Sequence, residues 1–163
     1  MWVQVLLPAP SKGNTMATRK RFSKALYDAH DAPAREALRS LLTSKGHTVI
    51  KDEEDFYVDL VTEKNGNIYY NEAEVKLSWS GVWPSQWSEV RIPERKTRLL
   101  EKYKTGFLNF YIFSREYDQC FRIKDVALQQ DRLGPAFGRN IWRGELFYHI
   151  PYQEAELIKI GSQ

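Results

Sequence analysis

The chain has 163 residues, of which 42% are hydrophobic, and a formal net charge of +3. This length and hydrophobic content suffice for one domain with one core. One cysteine and three scattered histidines exclude an internal disulfide framework and the usual zinc sites. No apolar run approaches the roughly 20 residues that span a bilayer, and the start of the chain lacks the basic segment of a signal peptide. We therefore expect a cytoplasmic protein that does not enter a membrane.

The amino-terminal segment differs in composition from the rest of the chain. Residues 1–15 contain Pro8, Pro10 and Gly13, which predicts an extended arm ahead of a single domain over residues 16–163. The apolar residues of the arm leave a second interpretation open, in which it docks on the domain as a strand.

Two helices are predicted next. Apolar residues at helical spacing indicate the first, over about residues 17–30. The second follows Asp31, a residue type that caps helices, and ends before Gly46. A short strand over residues 47–51 and the acidic connection 52–54 then lead into the most informative part of the chain.

That part is DFYVDLVTEKNGNIYYNEAEVKL, residues 55–77. Asn65-Gly66 is the strongest two-residue signal for a β-hairpin, and both flanking runs have strand composition. Opposed residues share a face of a hairpin, and side chains alternate between faces. One predicted face is apolar, and the other carries four carboxylates and one lysine: Asp55, Asp59, Glu72, Glu74 and Lys76.

The charged face has two interpretations. A hairpin with one solvated face shows the same alternation, and Asp55 and Lys76 would then form a surface ion pair worth under about 1 kcal/mol. Alternatively, the clustered carboxylates, which repel each other unless a cation compensates them, bind a divalent metal ion. Mg²⁺ prefers carboxylate and water oxygens.

Asp59, followed on the next strand by Glu74-Val75-Lys76, resembles the core motif of the PD-(D/E)XK nuclease superfamily. The resemblance implies that Asp59 and Glu74 bind Mg²⁺ or Mn²⁺ and that Lys76 assists the attacking water. Val58 stands where the motif has a proline, which contributes no metal ligand. Further candidates for the site are two carboxylates of the same face and a glutamine after the motif strand: Glu72, Asp55 and Gln86.

The segment after the motif is predicted to be a loop beside the site. Its three tryptophans have a spacing of four, but Gly81 and Pro84 interrupt a helix there. Exposed indoles could stack on nucleic-acid bases. Packing over the sheet is the alternative, and we favour it for at least one of Trp79, Trp83 and Trp87.

Pro93 then precedes a predicted helix over residues 94–105, which Gly106 ends. This is the most basic stretch of the chain. Its charged residues are either solvated or bind the phosphates of a nucleic acid. The residues expected at phosphates are Arg91, Arg95, Lys96 and Arg98.

The remaining pattern predicts strands at 107–113, 120–123 and 145–150, and helices at 125–133 and 152–160. The first of these strands is apolar throughout, as a central strand covered on both faces would be. We therefore predict an α/β (α+β) fold with a central mixed sheet flanked by helices. Its αβββαβ order resembles the restriction-endonuclease-like core.

The resemblance implies a metal-dependent nuclease that hydrolyses phosphodiester bonds. In size, the chain resembles small Holliday-junction-resolvase-like and phage-type endonucleases. This resemblance implies DNA as the substrate and a homodimer as a possible state. The alternative is a non-catalytic nucleic-acid-binding or structural protein with a degenerate nuclease fold. A third interpretation is an α/β interaction domain that uses its tryptophans. The sequence leaves DNA or RNA, and the form of the substrate, open.

Overall fold

The computed structural model describes residues 32–51, 58–104, 106–138 and 141–161. Within these ranges the chain forms a mixed α/β fold with two sheets and two α-helices. Their bounds are α1 (Ala32–Ser44), β1 (Thr48–Lys51), β2 (Leu60–Lys64), β3 (Asn67–Lys76), β4 (Glu89–Pro93), α2 (Thr97–Lys102), β5 (Leu108–Ser114), β6 (Gln119–Lys124), β7 (Leu133–Pro135), β8 (Leu146–Pro151) and β9 (Glu156–Lys159). The predicted arm, the helix over residues 17–30 and Asp55 lie outside the described residues.

The larger sheet has the order β1-β2-β3-β5-β6-β9. Its neighbours are antiparallel except for β3 and β5, which are parallel. Strand β5 is buried at every position, which confirms the prediction of a central strand covered on both faces. Helix α1 packs on one face of this sheet. On the other face lie α2 and the smaller antiparallel sheet, of order β4-β8-β7.

The predicted register of the hairpin is confirmed up to Leu60, but the predicted position of Asp59 on the same face as Glu72 is wrong, because the ladder ends before Asp59 and its carboxylate contacts Arg35 on α1. Strands β2 and β3 pair antiparallel from Lys64 opposite Asn67 to Leu60 opposite Asn71. Asn65 and Gly66 have φ values of 52° and 82°, the left-handed conformation that a tight two-residue hairpin turn requires at both positions. Asparagine and glycine are the residues that adopt it at least cost, and therefore the local sequence determines this register.

Three predicted elements beyond the hairpin are wrong. The predicted loop before Pro93 contains β4, because Val90 and Ile92 point into the core from a strand that pairs with β8. The helix predicted over residues 125–133 is two 3₁₀ turns followed by β7. The one predicted over residues 152–160 is a 3₁₀ turn followed by β9. In each case, pairing with another strand overrides the local pattern; the partner is distant in sequence for β4 and β9 and is the next strand for β7.

The charged face of the hairpin is not a solvated face along its whole length. The smaller sheet and α2 cover it, and Glu72 is only 2% exposed. The interpretation of a hairpin with one face in water is therefore wrong for this part of β3. Among the described residues, no helix has the length and apolar composition needed to cross a membrane.

Candidate active site

Strand β3 places Glu72, Glu74 and Lys76 on one face, because side chains alternate along a strand. Their neighbours on β5 are Phe110, Ile112 and Ser114. Glu72 is fully buried, whereas Glu74 and Lys76 are half-buried. The exposure of these charged side chains therefore increases along β3 after Glu72.

Glu72 forms a buried ion pair with Lys96. The Lys96 Nζ donates to Glu72 Oε2 over 2.7 Å. Burial raises the pKa of the Glu72 carboxyl, but the Lys96 ammonium outweighs this and holds that pKa below its ordinary value. Burial also lowers the pKa of Lys96 to about 8, against the opposing effect of Glu72. Lys96 is 2% exposed, so its predicted place on a phosphate-binding surface is not compatible with this position in the core.

Asp59 directly precedes β2, where the ladder with β3 has ended. The backbone N–H of Ala73 donates to Asp59 Oδ2 over 2.9 Å, and Asp59 Oδ1 lies 3.6 Å from Arg35 Nη2. The carboxylate is buried. It is therefore held between the backbone of β3 and helix α1, on the layer opposite to Lys96.

Arg35 is not among the residues that the sequence predicts for the site. It precedes the buried Leu38 by three residues on α1, so it lies on the flank of the apolar stripe that faces the sheet. A basic side chain at the edge of a buried helix face is the one signal in the sequence that points to a carboxylate on the sheet. The pattern alone does not identify Asp59 as that carboxylate.

The outer end of β3 is rich in positive charge. Burial lowers the pKa of Lys76, the Glu74 carboxylate opposes this shift, and Arg91 adds to it. Burial likewise lowers the pKa of Arg95, against the opposing charges of Glu74 and Glu145. These interactions bring two of the predicted phosphate-binding residues into electrostatic reach of the motif. Arginines that were fully exposed to solvent would not interact with the motif residues in this way.

The tryptophans form an aromatic array beside this end of β3. Trp79 is completely buried and stacks on Phe121, with ring centroids 5.2 Å apart. Trp83 contacts both Trp79 and Trp87 edge to face, and its Nε1 donates to the Trp87 carbonyl over 2.8 Å. The Trp87 ring lies 4.9 Å from the Lys76 Nζ. Packing over the sheet is therefore confirmed for Trp79, whereas Trp87 contacts the motif lysine.

The other predicted site residues are at the surface or outside the described ranges. Arg91 is exposed and contacts Glu89, its Nε 3.2 Å from Glu89 Oε1. Arg98 and Gln86 are exposed. Their roles in binding nucleic acid or shaping the site remain predictions. Asp55 cannot be placed in this geometry.

Comparison of the chain with family models, curated proteins and solved structures finds no match. The assignment of a function therefore depends on the geometry of the site and on the resemblance of its motif.

Asp59 and Glu74 are carboxylates, the ligand type that a hard divalent cation takes. Among the described residues, no group of three or more His, Cys, Asp and Glu side chains is placed to hold a metal ion. Mg²⁺, however, is commonly bound through one or two carboxylates together with water and substrate phosphate. The Asp59 carboxylate accepts a hydrogen bond from the backbone of Ala73, the residue before Glu74 on β3. Its other partner, Arg35, belongs to the layer of α1, whereas Glu74 lies on the opposite face of β3 and is partly exposed.

Proposed function

We propose that the protein is a metal-dependent nuclease of the PD-(D/E)XK type that hydrolyses phosphodiester bonds, with DNA as its substrate. The observation that carries this proposal is the position of Lys76. Its ammonium is half-buried, has a lowered pKa, lies beside Glu74 and contacts Trp87. Perturbed lysines in such surroundings are common at sites of catalysis.

The order of the elements also supports the proposal. Helix α1, strands β1 to β3, helix α2 and strand β5 follow each other along the chain, and β5 is parallel to β3. This is compatible with the αβββαβ core that the motif resembles. Strand β4 is an addition between β3 and α2, and it belongs to the smaller sheet.

In this proposal, Asp59 and Glu74 would hold Mg²⁺ or Mn²⁺. Such an ion polarises a phosphodiester and lowers the pKa of a bound water. Lys76 donates hydrogen bonds to the charge that develops on the phosphate, a preorganised interaction in a site partly shielded from solvent. Arg91, Arg95 and Arg98 bind neighbouring phosphates of the substrate. Trp87 holds the Lys76 ammonium through its ring.

A second candidate function has a specific observation in its favour. Arg35 lies beside Asp59, and Lys96 is bound to Glu72, so cations of the protein already compensate two of the carboxylates. This arrangement fits a nucleic-acid-binding protein with a degenerate nuclease fold, in which the charges have become structural. Such a protein would bind nucleic acid without cleaving it.

A cleavage panel distinguishes the two functions. Linear, flapped and four-way DNA and matched RNA are incubated with Mg²⁺, Mn²⁺ or EDTA. The nuclease proposal expects cleavage that requires metal and is slowed by a factor of about 10² or more in Lys76→Ala. Cleavage should be unchanged in Lys124→Ala, which removes an exposed lysine elsewhere on the larger sheet. Binding without cleavage of any substrate would favour the second function. Sedimentation of the same samples tests whether the protein is a homodimer.

A further inference from the structure

Arg35 and a divalent ion would require the same carboxylate. Asp59 Oδ2 already accepts a hydrogen bond from the backbone of Ala73, and Oδ1 is the oxygen that faces Arg35 Nη2 at 3.6 Å. The Asp59 side chain is only 3% exposed, and that of Arg35 is 20% exposed. Two positive charges at one buried carboxylate repel each other strongly, because water screens them poorly there.

We propose that Arg35 is a built-in counter-cation that competes with the divalent metal for Asp59. Arg35 contacts the carboxylate in the metal-free protein and must leave it when the metal binds. This inference rests on the proposed function, because it concerns the same site. It assigns to α1 a role that the motif does not contain, since Asp59, Glu74 and Lys76 all lie on the hairpin.

The position of Arg35 makes this exchange physically reasonable. A carboxylate as buried as Asp59 is costly without a cation or hydrogen-bond donors, so the metal-free protein needs a partner for it. Arg35 is located on the first turns of α1 and keeps part of its side chain in solvent. Its long side chain can therefore move into water without disturbing the buried residues of the helix.

The test is the affinity for Mn²⁺ alone, measured by titration calorimetry on the whole chain without nucleic acid. Arg35→Gln should bind Mn²⁺ about tenfold tighter or more, in the range typical of coupling between linked ligands. Arg132→Gln, which removes an ion pair with Glu154 elsewhere, should leave the affinity unchanged. Equal affinities of the parent and Arg35→Gln would overturn the inference while leaving the metal site in place.

A double-mutant cycle localises the effect to one carboxylate. Asp59→Asn should weaken Mn²⁺ binding, and adding Arg35→Gln to it should give no recovery, because the competition takes place at Asp59. A tighter affinity in the double variant than in Asp59→Asn would contradict the inference. Binding of Mn²⁺ by Arg35→Gln but not by the parent would support the competition. It would also contradict the proposal that the native protein is a metal-dependent nuclease. Binding by neither would overturn both.

Thermal unfolding supplies a readout without bound metal. In EDTA, Arg35→Gln should melt several degrees below the parent, because Asp59 has lost a cation, and Mn²⁺ should raise its melting temperature more than that of the parent. An equal rise in both would contradict the inference. If Arg35→Gln does not fold, Arg35→Lys keeps the charge on a shorter side chain and should still bind Mn²⁺ more tightly than the parent.

Discussion

Glu72 and Glu74 occupy the same face of the same strand, two positions apart, yet their surroundings differ. Glu72 is buried and bound to Lys96 over 2.7 Å. Glu74 is half-buried and lies near two cations that are themselves partly exposed, Lys76 and Arg95. The difference follows from how far the covering layer extends along β3. A carboxylate beneath the layer becomes part of the fold, and one at its edge remains accessible to a ligand.

The largest expected effect comes from removing the charge of Glu72. Glu72→Gln leaves the Lys96 ammonium buried without its carboxylate, which typically costs about 3–5 kcal/mol in the free energy of unfolding. Chemical denaturation measures this cost. Glu63→Gln, at an exposed position of β2, is the control and should change stability little. The double variant Glu72→Leu/Lys96→Met should recover most of the loss, because an apolar pair of similar volume needs no desolvation.

The same pair gives a pH signature. The pKa of Glu72 is held below its ordinary value of 4.5 in the folded protein. Its contribution to stability is therefore present above pH 4.5 and is lost as the pH falls through the lower, folded value. The free energy of unfolding of Glu72→Gln should decrease less on acidification than that of the parent. Parallel acid profiles for the two proteins would show that the pair does not stabilise the native state.

At the outer end of β3 the expected effect is on rate. Lys76→Ala should slow cleavage by a factor of about 10² or more, as the loss of a preorganised charge at a reacting centre typically does. Affinity for Mn²⁺ should persist, because Lys76 is not a metal ligand. Single-turnover cleavage and calorimetry measure these two quantities. A large loss of stability in Lys76→Ala would instead make this residue structural, like Lys96.

A smaller effect is expected from the surface arginines. Arg91→Gln and Arg98→Gln together should reduce the slope of log affinity against log salt by about 1–2, since each phosphate contact to duplex DNA contributes about 0.9. Filter binding over a range of salt concentrations measures the slope. Arg132→Gln is the control. An unchanged slope would show that these two arginines do not contact phosphates. Arg95 would then be the remaining arginine predicted to do so.

The smallest effect concerns Trp87. Burial is the main cause of the lowered pKa of Lys76, so Trp87→Ala, which opens the ammonium to water, should return that pKa toward its ordinary value. The alkaline limb of the pH–rate profile should then move to higher pH, whereas Trp87→Phe should preserve the parent profile. Amine-reactive labelling of Lys76 as a function of pH gives the same information without activity. A coincident profile for Trp87→Ala would show that Trp87 only packs.

The parts of the fold that were predictable from the sequence are those determined locally. Asn65-Gly66 set the register of β2 and β3, and the apolar run of β5 indicated its burial. Strand β9 was not predicted because its partner β6 is distant in sequence, and β7 was not predicted because its glycine and proline are unfavourable in strands. The local pattern likewise identified the carboxylates of the hairpin without the protein's own cations that compensate them. The side chains that compensate them, Arg35 and Lys96, come from opposite layers of the structure.

The smaller sheet has a consequence for how the chain folds. The β2–β3 hairpin involves only neighbouring residues and can form early, whereas β4 pairs with β8, whose residues come much later in the chain. Pairings of such large sequence separation are slow, because the intervening loop must be closed before the contacts form. On the ribosome, β4 must therefore wait until β8 (Leu146–Pro151) has been synthesised. Until β8 is available, the layer over Glu72 and Lys96 is incomplete, and this buried ion pair stays open to water.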